Sequence, residues 1–366
     1  MVGELGRGAD RGRAVRPPPG LAARGRAGRP LCPGRGPARW GGTAGRRPGA
    51  RLRRGVGRPG RRPCRLPARG LVVVPANTGY LEDEIGHLVR DSEPAVAIVD
   101  DPQRAGWCRA AAPDLVVTDV DVALADGSAP ELDAAAPDDP ALIGYTSGTT
   151  GRPKGAVLSH GNLLASTEAL RMAWRWVPAD RLVLALPLFH MHGLGVGLHG
   201  TLLAGASAVL VPRFDVDAVL DAADEHDATL FFGVPTMYSR LAGSPRAGEL
   251  RRLRLCVSGS APLPADLFER LEALTGQRVL ERYGMTETVM LVSNPCAGER
   301  RAGTVGKPLP GVELRLAEPS GEILVRGPNV FAGYRNRPEA TAEAIDAEGW
   351  FRTGDLGRFD EAGYLA

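Results

Sequence analysis

From Leu71 onward the chain alternates short apolar runs with amphipathic stretches. LVVVPANTGY reads as a buried strand closed by Pro75 and an Asn77-Thr78-Gly79 turn. LEDEIGHLVRDSEP then places apolar residues at 81, 85, 88 and 89, a helical period, and AVAIVD is a second buried strand. Strand, helix and strand at this spacing predict a βαβ unit, hence a parallel sheet covered by helices. Further strands are expected in RLVLALPL, ASAVLVP, ATLFFGVP and LRLCVSG, with helices at VDAVLDAADEHD and ADLFERLEALTG, and the alternation runs to about residue 280. From about Gly303 the pattern changes to short strands with Gly/Pro turns, GTVGKPLPGVELRL and GEILVRGPNVFAGY. The expected organisation is an α/β parallel-sheet core over 71–302 followed by a small β-rich subdomain over 303–366.

The front of the chain is different. Residues 1–70 hold about 19 Arg against two acids, Glu4 and Asp10, with Gly and Pro but almost no periodic apolar residues. Too little apolar surface is available to offset the ordering entropy, so disorder is expected there. Three readings stand: a basic arm for RNA or membrane, a targeting segment, or a wrong start or shifted frame, since the composition flips at Gly70–Leu71. The net charge of +3 therefore hides an acidic body. With no aromatics at regular spacing either, that body gives no reason to expect a nucleic-acid partner.

At 366 residues and 43% apolar, the chain is neither wholly disordered nor a disulfide scaffold. Cys32, Cys64, Cys108, Cys256 and Cys296 show no metal-like or paired spacing, which suits reduced thiols in a cytoplasmic protein. No run reaches the length of a membrane span.

The richest chemistry lies in YTSGTTGRPKGAVLSHGNLL, residues 145–164. Thr146, Ser147, Gly148, Thr149, Thr150 and Gly151 crowd hydroxyls and small residues together, and Lys154 follows Pro153. Glycine lets backbone N–H groups approach an anion, hydroxyls add donors and a lysine adds a point charge, a set suited to polyphosphate. It is not the G-x-x-x-x-G-K-[ST] loop, because Lys154 is followed by Gly155. A plain flexible Gly/Ser loop is the bland alternative. The strand before it and the helical run GNLLASTEALRMAW after it speak against that.

This stretch resembles the signature T-S-G-[ST]-[TG]-G-x-P-K-G of the acyl-adenylate-forming superfamily, which includes acyl-CoA synthetases, adenylation domains of peptide synthetases and luciferases. ERYGMTET, residues 281–288, is similar to the family's Y-G-x-T-E segment, and GWFRTGDLGRFDEAGYL, residues 349–365, to its [WF]-x-x-T-G-D segment, in the family's order. The resemblance covers about 71–366. It implies an ATP-dependent acid–CoA ligase acting through an acyl-adenylate, with ATP, Mg2+ and coenzyme A as cosubstrates and cofactor and a small carboxylic acid as partner. By resemblance, Thr146 to Gly151 and Lys154 hold the β- and γ-phosphates, Tyr283 stacks on adenine, and Thr286 bonds the α-phosphate. Glu287 holds Mg2+ and Asp355 accepts from the ribose hydroxyls. Lys154, Thr286 and Glu287 carry the catalysis.

Ser258-Gly259-Ser260 resembles the segment lying along the adenine and the acyl pocket, and reads equally as a strand-to-helix turn with Ser260 as cap. Of His190 and His192 in PLFHMHGLG, the resemblance puts His190 beside the acyl pocket. A structural histidine is the alternative, and no Cys, Asp or Glu at ligand spacing supports a metal. Arg282 stands where many relatives carry a small residue. A guanidinium near the acyl pocket suits a second carboxylate on the substrate, whereas a surface Arg pairing with Glu281 is the plain alternative. The wider run VLERYGMTET…SNP…GERRAGTVGKPLPGV resembles malonyl-CoA synthetases and suggests malonate or a related short diacid, while Arg300 and Arg301 read as an ordinary charged loop. The alternatives are a fatty or short-chain monocarboxylate ligase, a stand-alone adenylation domain, or a non-catalytic ATP-binding remnant. The last is suggested because the family's mobile C-terminal domain with its lysine is expected beyond Ala366, and Lys154 and Lys307 are the chain's two lysines.

Overall fold

The computed structural model describes residues 49–52 by their backbone, and residues 70–119, 135–146 and 152–366 in full, all within the unit Gly45–Ala366. Residues 1–48 and 53–69, for which disorder is expected, lie outside the described residues, as do 120–134 and the loop residues 147–151.

Three sheets form the frame. The first takes β1 (Gly49–Leu52), β2 (Val73–Ala76), β3 (Val96–Val99), β4 (Val116–Thr118), β5 (Pro140–Thr146) and β6 (Lys154–Ser159). The second takes β7 (Arg181–Leu184), β8 (Ser207–Leu210), β9 (Leu230–Gly233), β10 (Leu255–Ser258), β11 (Leu280–Tyr283), β12 (Val292–Ser293) and β13 (Lys307–Pro308). The third is built from β14 (Glu313–Ala317), β15 (Glu322–Arg326) and β17 (Phe351–Leu356), while β16 (Gly333–Tyr334) joins the first sheet beside β6.

Both large sheets are mixed rather than purely parallel. In the first, β5, β2, β1, β3 and β4 run parallel, but β6 pairs antiparallel with β5 and β16 antiparallel with β6. In the second, the order is β13-β12-β11-β10-β9-β7-β8, parallel except for the β11–β12–β13 edge. The reason is connection length: β5 and β6 are joined by a seven-residue loop, too short for the crossover that parallel strands need.

The expected βαβ unit is present as strand, helix and strand, but β2 and β3 are not neighbours. β1 lies between them, Ala50 opposite both Val74 and Ala97. Its sequence, GARL, has no strand pattern and falls in the stretch where disorder is expected. Backbone groups of β2 and β3 facing that slot need partners, and any extended backbone supplies them. Residues 303–366 likewise lend strands to both large sheets, β13 to the second and β16 to the first.

Local chemistry explains the elements that frame the site. Helix Glu82–Ser92 carries Glu82, Asp83 and Glu84 in its first turn and Arg90 in its last, signs that suit the helix dipole, and it buries Ile85, Leu88 and Val89 against the first sheet. Helix His160–Ala173 opens with a reciprocal cap: the Asn162 N–H donates to Ser159 Oγ at 3.1 Å and the Ser159 N–H to Asn162 Oδ1 at 2.9 Å. One continuous apolar core joins the sheets, running from Leu142 and Leu158 through Phe232, Val257 and Leu280 to Ile323 and Phe351.

Candidate active site

The β5–β6 hairpin sets the first end of the site. Thr146 faces Lys154 in register, and Thr146 Oγ1 donates to the Lys154 carbonyl at 3.4 Å, so the ends of the loop are held together. Ser147, Gly148, Thr149, Thr150 and Gly151 lie outside the described residues. Lys154 Nζ stands 5.1 Å from the centroid of the Tyr334 ring, and the Tyr334 hydroxyl donates to Glu287 Oε1 at 2.9 Å. Glu287 is buried, and burial pushes its carboxyl upward against the opposing Tyr334 hydrogen bond and Lys154 charge. Tyr334 has no counterpart among the residues singled out from sequence; it sits on a two-residue strand whose sole signal is the Gly-rich run FAGY.

Thr286 packs on the same hairpin. Its methyl occupies the space a Cβ at position 144 would need, so glycine there is what lets the YGMTE turn lie on β5. Tyr283, at the end of β11, donates its hydroxyl to Asp355 Oδ2 at 2.6 Å, tying the second sheet to β17. Burial and the Asp355 hydrogen bond both raise the tyrosine above its ordinary range. Lys154, Glu287, Thr286, Tyr283 and Asp355 are thus brought to one place from three strands and a turn.

A second end lies one residue away in sequence. Arg282 is 5% exposed, and its Nε and Nη2 have no hydrogen-bond partner among the described residues. Burial brings the guanidinium down to about 9, with Glu281 working the other way, which still leaves it charged at neutral pH. The surface pairing with Glu281 does not occur. Adjacent strand residues point to opposite faces, and Glu281 Oε1 instead accepts the Leu263 N–H at 2.7 Å. The Arg282 guanidinium lies against the backbone of Gly259, where any Cβ would overlap it.

Around that guanidinium stand Ser260, whose Oγ is 3.2 Å from His192 Nδ1, and His192 itself, stacked on Phe232 at 6.4 Å between centroids and 20° between planes. Burial, then the Arg282 charge, holds His192 well below its ordinary value, so the ring is neutral at pH 7. His192 Nε2 and the buried Ser258 Oγ have no partner among the described residues. Of the two histidines it is therefore His192, absent from the sequence-derived site, that faces Ser260. His190 is exposed, its ring 4.6 Å from Phe189. The choice is made by a π-helical turn, His192–Leu198, which opens at that residue. Ser260 does not cap the following helix, Ala265–Thr275, which starts after Pro264 with no side-chain cap. Its own φ of +69°, in the left-handed region, is spent on aiming Oγ at His192.

Arg300 donates to the carbonyls of Pro295, Cys296 and Arg278, and Arg301 pairs with Asp360 at 2.6 Å and Glu299 at 2.9 Å, so both serve the loop itself. Among the described residues no group of three His, Cys, Asp or Glu could hold a metal, and no helix is long and apolar enough to cross a membrane.

Two mixed α/β sheets with a third small sheet, and a lysine–carboxylate–tyrosine cluster at a Thr/Ser/Gly hairpin, define an adenylate-forming enzyme fold. The chain belongs to the AMP-binding enzyme family, whose model matches residues 66–335. It is 44% identical over 253 residues to a malonate–CoA ligase of Arabidopsis thaliana, covering 62% of this chain and 42% of that protein. A feruloyl-CoA synthase of an Amycolatopsis species is 39% identical over 311 residues, covering 81% and 62%. Among solved structures, a malonyl-CoA ligase in a ternary product complex with methylmalonyl-CoA and AMP is similar at a TM-score of 0.74 and 47% identity, over 81% of this chain and 66% of that one. The chain thus spans less than two thirds of the length of these relatives.

Proposed function

We propose that this protein is an ATP-dependent acid–CoA ligase acting on malonate or a related short diacid. A carboxylate resists nucleophiles because of its charge, and adenylation removes that obstacle. A carboxylate oxygen bonds to the α-phosphorus as the bond to the β-phosphate oxygen breaks, and pyrophosphate leaves. The thiol of coenzyme A then attacks the carbonyl carbon, loses its proton, and AMP leaves. Positioning and charge stabilisation supply most of the rate in such transfers.

In this reading Thr146 to Gly151 and Lys154 hold the departing phosphates, Thr286 bonds the α-phosphate, and Tyr283 and Asp355 receive the adenosine. Glu287 suits Mg2+: it is a buried oxygen donor whose carboxyl is pushed up by burial, which a bound cation would offset, and Mg2+ needs only one or two carboxylates. When bound, the ion would offset phosphate charge, while the Tyr334 hydroxyl fixes the carboxylate that holds it.

The observation that carries the choice of acid is Arg282, a buried guanidinium with two unpartnered N–H groups. A monocarboxylic acid would leave it unpaired, which is costly, and the distal carboxylate of a diacid would satisfy it bidentately. His192 Nε2 and Ser258 Oγ are further buried polar atoms available to the same group. The test is titration with non-hydrolysable adenylate mimics. A malonyl mimic is expected to bind at least about tenfold tighter than a butyryl one. Equal affinities would overturn the diacid reading, and binding of neither would overturn the ligase reading.

A further inference from the structure

Lys154 follows Pro153 in a hairpin whose carbonyls are unusually well served. The carbonyls of residues 153, 154 and 155 each accept from a different element: His87 Nε2 lies 2.9 Å from Pro153 O, Thr146 Oγ1 donates to Lys154 O, and the Arg335 N–H donates to Gly155 O at 2.8 Å. His87 comes from the middle of helix Glu82–Ser92, 66 residues earlier in sequence. Its ring meets the Tyr145 ring edge-on, at 6.0 Å and 84°, and the Tyr145 hydroxyl donates back to Asp91 of the same helix at 2.6 Å. Arg335 closes the frame by donating from Nε to the Asp91 carbonyl at 2.7 Å.

The consequence concerns the peptide between Pro153 and Lys154. A peptide is planar, so holding its oxygen fixes the plane that carries the Lys154 nitrogen, and with it the direction in which the lysine side chain leaves the backbone. Proline restricts the turn on one side but donates no hydrogen bond of its own. The external donor on this peptide is the imidazole N–H of His87.

We propose that His87 is a positioning residue for the triphosphate: it holds the Pro153 carbonyl and thereby aims Lys154 at the phosphates, touching none of them itself. This rests on the ATP reading above, in which Lys154 meets the β- and γ-phosphates that AMP lacks.

That difference supplies the test. Two variants are compared with the wild-type protein: His87→Phe, which keeps a ring against Tyr145 but no donor, and His87→Gln, which keeps an amide N–H at similar reach. Kd is measured for ATP with Mg2+ and for AMP by calorimetry. For His87→Phe, ATP binding is expected to weaken about three- to tenfold, the range of one hydrogen bond, with AMP unchanged within about twofold. His87→Gln should recover most of the loss. In a Lys154→Ala background, His87→Phe should cost nothing further, because the lysine it aims is gone. Equal losses for ATP and AMP, no recovery with Gln, or a full additive loss without Lys154 would each overturn the proposal and make His87 a support for the helix alone. Wild-type protein that binds neither nucleotide would instead refute the ATP reading itself.

Discussion

Replacing Arg282 by methionine separates charge recognition from packing. Methionine is unbranched and of comparable length, so it fills the space beside Gly259 without a guanidinium. The magnitude follows from two unpartnered N–H groups, Nε and Nη2, on a side chain 5% exposed. Each charge-assisted bond made there contributes about 1.5–3 kcal/mol, offset in part by drying the ligand carboxylate, for a net of about 2–5 kcal/mol. That is about 30- to several-thousand-fold in Kd for a malonyl-adenylate mimic. A butyryl mimic never makes the contact and should change by less than about fivefold. Without ligand the sign reverses: the variant sheds a buried, uncompensated charge, so its Tm should rise or stay level. Calorimetry on both mimics and a thermal melt of the free protein together decide the matter. Equal losses for the two mimics, or a fall in the Tm of the free protein, would refute the idea that Arg282 waits for an anion.

Gly259→Ala should reproduce the malonyl-selective loss in milder form, because its methyl would displace the guanidinium; titrating the same two mimics checks it, and an unchanged malonyl affinity would contradict the close approach. Burial lifts the Glu281 carboxyl to about 7, so the folded state holds that proton more tightly than the unfolded chain does. Its contribution is therefore complete below about pH 4.5 and fades as pH rises through about 7, by at most about 3 kcal/mol. Glu281→Gln should flatten that part of the stability profile, measured by urea melts from pH 5 to 8, and parallel profiles would refute the assignment. Ser260→Ala removes the group facing His192 Nδ1 and frees the ring to turn; we expect about a three- to tenfold loss in malonyl-mimic affinity and little change for AMP, read by the same titrations.

The strands read most directly from the sequence include those whose side chains are buried on both faces, although the more exposed β8 and β14 were legible too. LFFG of β9 and LCVS of β10 are entirely interior, and such strands appear as unbroken apolar runs. The helix Glu82–Ser92 was legible through its apolar period. β1 was not, because GARL occupies its slot through backbone hydrogen bonds that leave no pattern in side chains. The nucleotide end was visible as motifs, yet Tyr334 was not, since its place beside Lys154 and Glu287 depends on a two-residue strand crossing back to the first sheet. Glu281 and Arg282 carry a different lesson. Once ERY is read as strand, their opposite orientation follows from geometry alone, and the ion pair between them is excluded before any coordinates are seen. That His192 is the histidine facing Ser260 had no such signal, because it turns on the widened helical turn that begins there.

The fit between Gly259 and Arg282 also constrains how this protein can change over time. While the guanidinium lies on the backbone at 259, every residue other than glycine there is obstructed. Once Arg282 is lost, position 259 is released and can accept a side chain. After it has done so, an arginine restored at 282 must sit displaced until 259 reverts. Two positions that would drift independently on an exposed surface are thereby ordered in sequence, and the step away from the arginine acts as a ratchet. A library that varies 282 alone on this background explores a smaller set of acid preferences than one that varies both, and ancestral or laboratory paths back to the arginine should pass through glycine first.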